Sequence, residues 1–250
     1  MSLTHSPQIV TNGLIYMLDP ANPKVWNGTN SAMTDLIYRG SNVISGAPYS
    51  LNTTSYAVPV MDINNTSTLT TATSTASIAL STPDLNAIAV NQNFSIMFAT
   101  HLTYLGYGGN SNGDSNLITG VPNGASLGWR VVNYNFGIPG GLPITGNNSF
   151  YFYLTSASVS VQDTVSYNRM CIVAFTVSPT TILGWCNGNI SSITNPQNYI
   201  PGTSNPTWGT QNAGVGSFNG QLGFLQIYNR ALSLNEIQQN FEAMRGRYGL

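Results

Sequence analysis

The sequence predicts an all-β protein, a sandwich or barrel that ends in one short helix. Asn-Gly occurs six times in the 250 residues, and this dipeptide tolerates the positive φ angles that tight hairpin turns require. Short apolar segments with a period of two lie between these turn signals and are typical of strands. Many short strands with frequent turns favour a sandwich or a barrel, which often fills about 250 residues as one domain.

Two regions in the first half of the chain predict strands. Residues 64–89 are rich in Thr and Ser. Because Thr favours strands, and because Leu69, Ile78 and Leu80 can be buried, we interpret this stretch as strand and surface loop rather than as a linker. In residues 94–99 the side chains Phe, Ile and Phe occupy every second position, which predicts a strand.

Further strands are predicted in the second half. Residues 150–154 form an aromatic run. Residues 171–177 are apolar and β-branched. A second apolar segment, residues 182–186, follows after a short turn, and this succession predicts a hairpin. In the last predicted strand, residues 222–228, the even-numbered side chains should share one face and the odd-numbered side chains the other.

The best-specified local element is the C-terminal helix. Ser233 and Glu236 have the spacing of a capping box, and Leu232 and Ile237 have that of a hydrophobic staple. Apolar side chains then follow on one helix face. They are Ile237, Phe241, Met244 and Tyr248. Two arginines in the last turns suit the negative end of the helix dipole.

The composition excludes several classes of protein. Only 6% of the residues are charged, with 7 Lys and Arg against 8 Asp and Glu, and the formal net charge is −1. Because seven cations are too few to neutralise a phosphate backbone, we expect no nucleic-acid partner. An apolar content of 42% argues against disorder. No apolar run reaches the ~18 residues of a membrane-spanning helix, so no membrane partner is expected either.

The domain organisation predicted from the sequence is simple. The first residues lack the cationic and apolar pattern of a secretory leader, so we expect no such leader. We interpret residues 1–10 as an N-terminal arm and residues 11–250 as one domain. Cys171 and Cys186 lie on neighbouring apolar segments where they could face each other, and we expect two buried thiols rather than a disulfide.

Catalytic chemistry is not expected. Glycoside hydrolysis requires two carboxylates about 5 to 9.5 Å apart across a cleft, whereas the only glutamates, Glu236 and Glu242, belong to the predicted helix. His5 lies in the arm and His101 stands alone at a strand end, with no Ser/His/Asp arrangement around them. Asn and Asp alternate in residues 110–116, but a loop of Asx turns explains them better than a calcium site does. We therefore expect no cofactor and no metal.

The last part of the chain resembles a known family. Residues 220–233, followed by Glu and Ile at 236–237 and by Arg-Tyr-Gly at 247–249, resemble the closing strand and helix of concanavalin A-like (laminin G-like) jelly-roll domains.

Earlier segments match the same family in the same order. Residues 13–19, 22–23 and 34–36 are similar to the opening strand and loop of such domains in phage structural and adhesion proteins. Residues 93–98 look like the central strand, and residues 173–188 are similar to the hairpin that precedes the final strands. The resemblance spans about residues 13–249.

The resemblance implies a concanavalin A-like jelly-roll β-sandwich of two antiparallel sheets with one short C-terminal helix. Only Asp62 corresponds to the Phe-Asp-Gly and paired-Asp motif of many relatives, so no calcium ligands carry over. We interpret the chain as a non-enzymatic virion structural protein of a tailed phage, a capsid decoration or other surface component assembled in the host cytoplasm. Its expected partners are capsid or tail proteins and further copies of itself.

The alternative interpretation is a glycan-binding or receptor-binding adhesin, such as a tail fibre or lectin-like module, with a cell-surface glycan as partner. Aromatic rings stack on the C–H groups of sugars, and amide side chains hydrogen-bond sugar hydroxyls. The candidate carbohydrate-binding residues lie among Gly and Asn in predicted loops. They are Tyr104, Tyr107, Trp129 and Trp208.

Overall fold

The computed structural model describes residues 7–37, 39–45, 49–63, 67–68, 71–72, 77–80, 85–104, 115–119, 129–134, 149–155, 157–163, 169–200, 206–209 and 219–250. Within these ranges the chain forms two antiparallel sheets, A and B, joined by one shared apolar core. The predicted all-β sandwich is therefore confirmed.

The strands of the two sheets come from all parts of the chain. They are β1 (Leu14–Leu18), β2 (Ala32–Thr34), β3 (Ser41–Ser45), β4 (Tyr49–Asn52), β5 (Val60–Ile63), β6 (Ser67–Thr68), β7 (Thr71–Ala72), β8 (Ser77–Ala79), β9 (Phe94–Tyr104), β10 (Ser115–Thr119), β11 (Trp129–Tyr134), β12 (Ser149–Leu154), β13 (Ala157–Gln162), β14 (Cys171–Val177), β15 (Thr181–Cys186), β16 (Asn189–Thr194), β17 (Thr207–Trp208) and β18 (Asn219–Tyr228). The helices are α1 (Leu85–Val90) and α2 (Leu234–Met244), and a 3₁₀ turn follows at Arg245–Arg247.

Sheet A has the order β16-β15-β14-β9-β18-β5-β4, and β1 also pairs with β18. Sheet B has the order β13-β12-β11-β10-β17-β8-β3-β2. β6 and β7 pair with each other outside both sheets. Since β18 lies between β9 and β5, strands more than 100 residues apart in sequence are neighbours at the centre of sheet A.

Sheet A is covered by apolar side chains on both faces. All seven residues of β14 are buried. Val173 and Phe175 point into the main core between the sheets, whereas Ile172 and Ala174 belong to a second cluster on the outer face of the sheet. This double coverage explains why the sequence of β14 is a continuous apolar run rather than an alternating one.

Helix α2 supplies the cover for the outer face of sheet A. Its Ile237 and Met244, with Tyr248 beyond it, are buried in the second cluster together with Phe224 and Trp185. Ser233 caps the helix, because its hydroxyl accepts the Glu236 N–H while the Glu236 carboxylate accepts the Ser233 N–H. The predicted capping box and helix are confirmed.

The predicted strict alternation along β18 is wrong at one point. Leu222 lies in the main core, and Phe224 lies in the outer cluster. The register with β9 shifts between these two residues, which is a bulge. Gly223 lies at the bulge, where a Cβ atom would come within 2.6 Å of the Tyr248 hydroxyl. A glycine is therefore required for Tyr248 to pack on the strand.

Residues 64–89 contain more than the predicted strand and loop. Their described parts include β6, β7 and β8, as expected, and also α1, which the sequence analysis missed. α1 has only six residues and α2 has eleven. Neither of the two helices in the described ranges has the length and apolar character needed to cross a membrane.

The end of the predicted N-terminal arm packs on the domain. Val10 is buried in the outer cluster. Its N–H donates to Oδ1 of Asn240 at 2.6 Å, and its carbonyl accepts from the Tyr228 hydroxyl at 3.1 Å. Gln239 donates to the carbonyl of Gln8 at 2.7 Å. Residues 8–10 thus belong to the layer that contains α2, and residues 1–6 lie outside the described part of the chain.

Cys171 and Cys186 are buried and form no disulfide with each other, as predicted from the sequence. Burial raises the pKa of the Cys186 thiol. The Cys171 thiol donates to Asp163, whose carboxylate also receives two hydrogen bonds from Arg169, at 2.9 and 3.0 Å. The thiols therefore lie in the main core beside a partly buried ion pair.

Candidate functional site

The outer face of sheet B carries a pair of tyrosines. In β12 the side chains of Phe150, Phe152 and Leu154 point into the main core. Tyr151 and Tyr153 alternate with them and are half-buried. Their ring centroids are 6.3 Å apart, and the ring planes are inclined by only 19°. The period of two along β12 thus presents two nearly parallel aromatic rings on the face opposite the core.

Hydroxyl-bearing side chains lie next to this pair. In the register between β12 and β13, Ser160 is opposite Tyr151 and Ser158 is opposite Tyr153. Residues that are directly opposite each other in an antiparallel pair share a face. Gln162, at the end of β13, is exposed, and its amide donates to the Ser149 hydroxyl at 2.9 Å.

We call this surface the outer tyrosine face. It consists of Tyr151, Tyr153, Ser158, Ser160 and Gln162. All five side chains are neutral, and they combine aromatic rings with hydroxyl and amide groups. Such a set can stack on the C–H groups of a sugar and exchange hydrogen bonds with its hydroxyls, as amphipathic aromatic side chains do elsewhere.

Trp208 is not a possible sugar platform, which corrects the sequence-based assignment. It lies in β17 and is fully buried. Its ring packs edge-on against Phe98, with centroids 5.4 Å apart. The Gly-rich and Asn-rich surroundings suggested a surface loop, but a two-residue strand places the indole in the main core, where its apolar area contributes to packing.

The other candidates stay predictions. Tyr104 is the last residue of β9 and pairs with Asn219, and Trp129 is the first residue of β11 and pairs with Leu154. The side chains of Tyr104 and Trp129, and the whole of Tyr107, lie outside the described part of the chain, as do most of the residues in the loop 110–116.

The described carboxylates have protein partners. Four of them form ion pairs with N–O distances from 2.6 to 2.9 Å. These pairs are Asp163–Arg169, Glu236–Arg230, Glu242–Arg245 and Asp19–Arg247. The Arg230 guanidinium lowers the pKa of Glu236 to about 2. Both glutamates lie on α2, as predicted from the sequence.

His101 belongs to a polar network on the outer face of sheet A. Its Nδ1 lies 2.9 Å from the Tyr56 hydroxyl and 3.1 Å from Oε1 of Gln221. Gln221 donates to Asp62 at 2.8 Å, and Asn52 donates to the same carboxylate at 3.2 Å. Burial raises the pKa of Tyr56 to about 12. The network links four strands and the segment between β4 and β5, and His101 lies within β9 rather than alone at a strand end.

The described residues contain no group of three His, Cys, Asp or Glu side chains that could hold a metal ion. Tyr151 and Tyr153 were not among the candidates predicted from the sequence, since those candidates were aromatic residues in predicted loops. The signal that identifies them is the alternation of Phe and Tyr in residues 150–153. Successive side chains of a strand point to opposite faces, so if Phe150 and Phe152 are buried, Tyr151 and Tyr153 face outward.

Comparisons with solved structures show the same fold in carbohydrate-binding and receptor-binding domains. The binding domain of botulinum neurotoxin DC in complex with SialylT has a TM-score of 0.60 at 13% identity and covers 94% of this chain and 52% of that chain. The chain thus spans about half the length of that toxin domain.

Two shorter domains match over most of their own length. Domain 4 of AbnA, an extracellular arabinanase from Geobacillus stearothermophilus in complex with arabinotriose, has a TM-score of 0.56 at 14% identity and covers 92% of this chain and 98% of that chain. The CBM40 of the Ruminococcus gnavus IT-sialidase, bound to α2,3-sialyllactose, has a TM-score of 0.50 at 15% identity and covers 71% of this chain and 94% of that chain.

No curated protein sequence matches the chain. A family model, however, matches residues 74–238, more than half of the chain, and ends inside α2. The match includes the closing strand and the capping box on which the resemblance rested, and the two-sheet architecture agrees with it. The chain belongs to the concanavalin A-like lectin/glucanases superfamily.

Proposed function

We propose that the protein is a non-catalytic carbohydrate-binding domain that recognises cell-surface glycans through the outer tyrosine face. The observation that carries this proposal is the pair of nearly parallel rings of Tyr151 and Tyr153, flanked by Ser158 and Ser160 on the neighbouring strand.

The arrangement suits a sugar chain that lies across β12 and β13. Two rings at a spacing of 6.3 Å can each contact the C–H face of a sugar unit, and each contact contributes about 0.5–1.5 kcal/mol. The serine hydroxyls and the Gln162 amide donate to and accept from hydroxyls of the same units. Because the tyrosines are fixed on a strand of the sandwich, little conformational freedom is lost on binding.

The structural neighbours support a binding function. Two of the three described above hold arabinotriose or sialyllactose, and all three are binding domains or domains attached to an enzyme. The placement of the carboxylates supports a non-catalytic role. Glu236 and Glu242 are held in ion pairs on α2, whereas a glycosidase needs two acids facing one sugar cleft.

The proposal is tested on an array of neutral and acidic glycans with the wild type, Tyr151→Ala and Tyr153→Ala. We expect saturable binding of the wild type to at least one glycan class. Each alanine variant should bind about 3- to 10-fold more weakly, because one stacking contact of about 1 kcal/mol is lost.

Two control variants make the result specific. Tyr153→Phe retains the ring and should retain most of the affinity. Ile190→Ala removes an exposed apolar side chain of β16 in sheet A and should leave binding unchanged. An array on which the wild type binds nothing, or on which both alanine variants bind like the wild type, would refute the proposal.

A virion role is a second, separate proposal. It rests on the similarity of residues 13–36 to the opening segments of phage structural and adhesion domains, and on the sparse charge of the chain. A net charge of −1 leaves little repulsion between copies packed side by side. In this proposal the protein is a surface component of a tailed-phage particle, in contact with capsid or tail proteins and with further copies of itself.

The virion proposal predicts a stoichiometric copy number in purified particles, measured by quantitative mass spectrometry against the major capsid protein. Trace amounts that vary between preparations would contradict it. A glycan-binding surface component is compatible with this role, so the two proposals fail independently.

A further inference from the structure

A cavity of about 350 Å³ lies where the segment between β1 and β2 meets the turn between β2 and β3. The described residues that line it are Lys24, Thr34, Asp35, Leu36 and Arg39. Lys24 follows β1, Thr34 ends β2, and the other three lie in the turn between β2 and β3. The cavity is therefore distinct from the outer tyrosine face on β12 and β13.

The distribution of charge singles out this cavity. Of the six cations whose side chains are described, four form the ion pairs given above. The other two are Lys24 and Arg39, which form no ion pair with a described carboxylate, and both line the same cavity. The two described cations that form no ion pair thus lie at one place.

Both cations stand on well-fixed turns. The N–H of Lys24 donates to Oδ1 of Asn22 at 3.0 Å, and the next two residues, Val25 and Trp26, are buried. The N–H of Arg39 donates to the carbonyl of Asp35 at 3.0 Å. Arg39 has a φ of +56°, a left-handed conformation that is unfavourable for most side chains.

Buried polar side chains fix the backbone next to the cavity through hydrogen bonds. Asp35 is fully buried, and its Oδ1 accepts the N–H groups of Met17 and Ile37, each at 3.0 Å. Asn42, also fully buried, donates to the carbonyls of Met33 and Gly40. The Asp35 charge is stabilised by backbone donors, and it offsets one of the two cations, so that the described lining residues carry a net charge of +1.

We infer that this cavity binds a monosaccharide unit that bears a carboxylate. A guanidinium matches the two oxygens of a carboxylate, and the Lys24 ammonium adds a second charge. The Thr34 hydroxyl offers a donor and an acceptor for ring hydroxyls, and Leu36 offers apolar area for sugar C–H groups. The volume lies at the small end of ligand pockets, which span about 300–1,000 Å³. The inference does not depend on glycan binding by the outer tyrosine face.

The test is a titration of the full chain with methyl β-D-glucuronide, methyl β-D-glucoside and inorganic sulfate, followed by NMR. The glucuronide should bind saturably and shift the amides of residues 22–25 and 34–40, whereas the neutral glucoside should not. Lys24→Gln and Arg39→Asn should each weaken glucuronide binding by about 10- to 100-fold, because each removes a charge-assisted hydrogen bond.

The variants are chosen so that folding and binding are separated. Asn tolerates positive φ at position 39, and the turn at Lys24 is held by its backbone. Arg245→Gln removes the same charge from α2 and should leave binding unchanged. Lack of glucuronide binding by the wild type, unchanged binding by both cavity variants, or sulfate binding as tight as that of glucuronide would overturn the inference. Tyr151→Ala should not affect this titration, so its outcome is independent of the glycan array.

Discussion

Glu236 shows how much one of the few charged residues contributes locally. Its carboxylate accepts the Ser233 N–H at 2.9 Å and makes two hydrogen bonds with Arg230, at 2.6 and 3.0 Å. The capping box was predictable because all its parts lie within four residues. The link to Arg230 was not, because it depends on the turn between β18 and α2.

Glu236→Gln should lower stability in a pH-dependent manner. The folded-state pKa of Glu236 is lowered from 4.5 to about 2, so its carboxylate stabilises the fold above the unfolded-state pKa, and this contribution is lost as the pH falls through about 2. At pH 6 we expect a cost of about 1 kcal/mol, or a decrease in Tm of about 2–4 °C. Between pH 4.5 and 2 the difference from the wild type should shrink.

The measurement is thermal unfolding followed by circular dichroism from pH 2 to pH 7. Glu242→Gln is the matched control, because Glu242 forms an exposed pair with Arg245 on the same helix, and exposed pairs contribute little. If the difference in Tm between Glu236→Gln and the wild type stayed constant down to pH 2, the proposed role of the Glu236 carboxylate would be wrong.

At the scale of elements, α2 joins the two ends of the chain to sheet A. Its capping and its apolar face were readable from the sequence, because helix periodicity and caps are local patterns. Its contact with Val10 was not, because 230 positions separate Val10 from Asn240. For the same reason, the interpretation of residues 1–10 as an arm did not include the packing of residues 8–10 on the domain.

Asn240→Ala should release the N-terminal segment. Asn240 is fully buried, accepts the Val10 N–H at 2.6 Å and donates to the Tyr228 hydroxyl at 3.0 Å. Its loss leaves buried polar groups without partners, at a cost of about 1–3 kcal/mol. Hydrogen exchange measured by mass spectrometry should show faster exchange in residues 8–10 than in the wild type.

Gln238→Ala is the control for this prediction, because Gln238 is exposed on the same helix and bonds only with Glu242 in the described structure. Residues 8–10 should exchange at the wild-type rate in this variant. Equal protection of residues 8–10 in Asn240→Ala and in the wild type would show that this hydrogen bond does not hold the segment.

At the scale of the whole molecule, the asymmetry between the two sheets decides where a ligand can bind. Sheet A is covered on its outer face by α2 and the N-terminal segment, whereas β12 of sheet B presents Tyr151 and Tyr153 outward. The sequence predicted the sandwich and its closing helix, since turn signals and alternation are local. It did not reveal which face of β12 is buried, because that depends on the opposite sheet.

The same dependence on residues far away in the sequence explains why Trp208 was wrongly predicted to be a surface residue. Nothing in the local sequence distinguishes a Trp in a Gly-rich surface loop from one in a two-residue strand of sheet B whose side chain lies in the core. The strand is specified by its pairing with Ile118 of β10 and Ile78 of β8, residues 90 and 130 positions away. Candidate sugar-binding residues therefore have to be chosen by sheet face, and loop composition alone does not identify them.

The most direct test of the central claim is an NMR footprint of the best neutral oligosaccharide from the glycan array on isotopically labelled protein. We expect the largest amide shifts in β12 and β13, at residues 150–161, and we expect them to disappear in the double variant Tyr151→Ala/Tyr153→Ala. Saturable binding whose shifts fall outside these two strands, and which persists in the double variant, would contradict it.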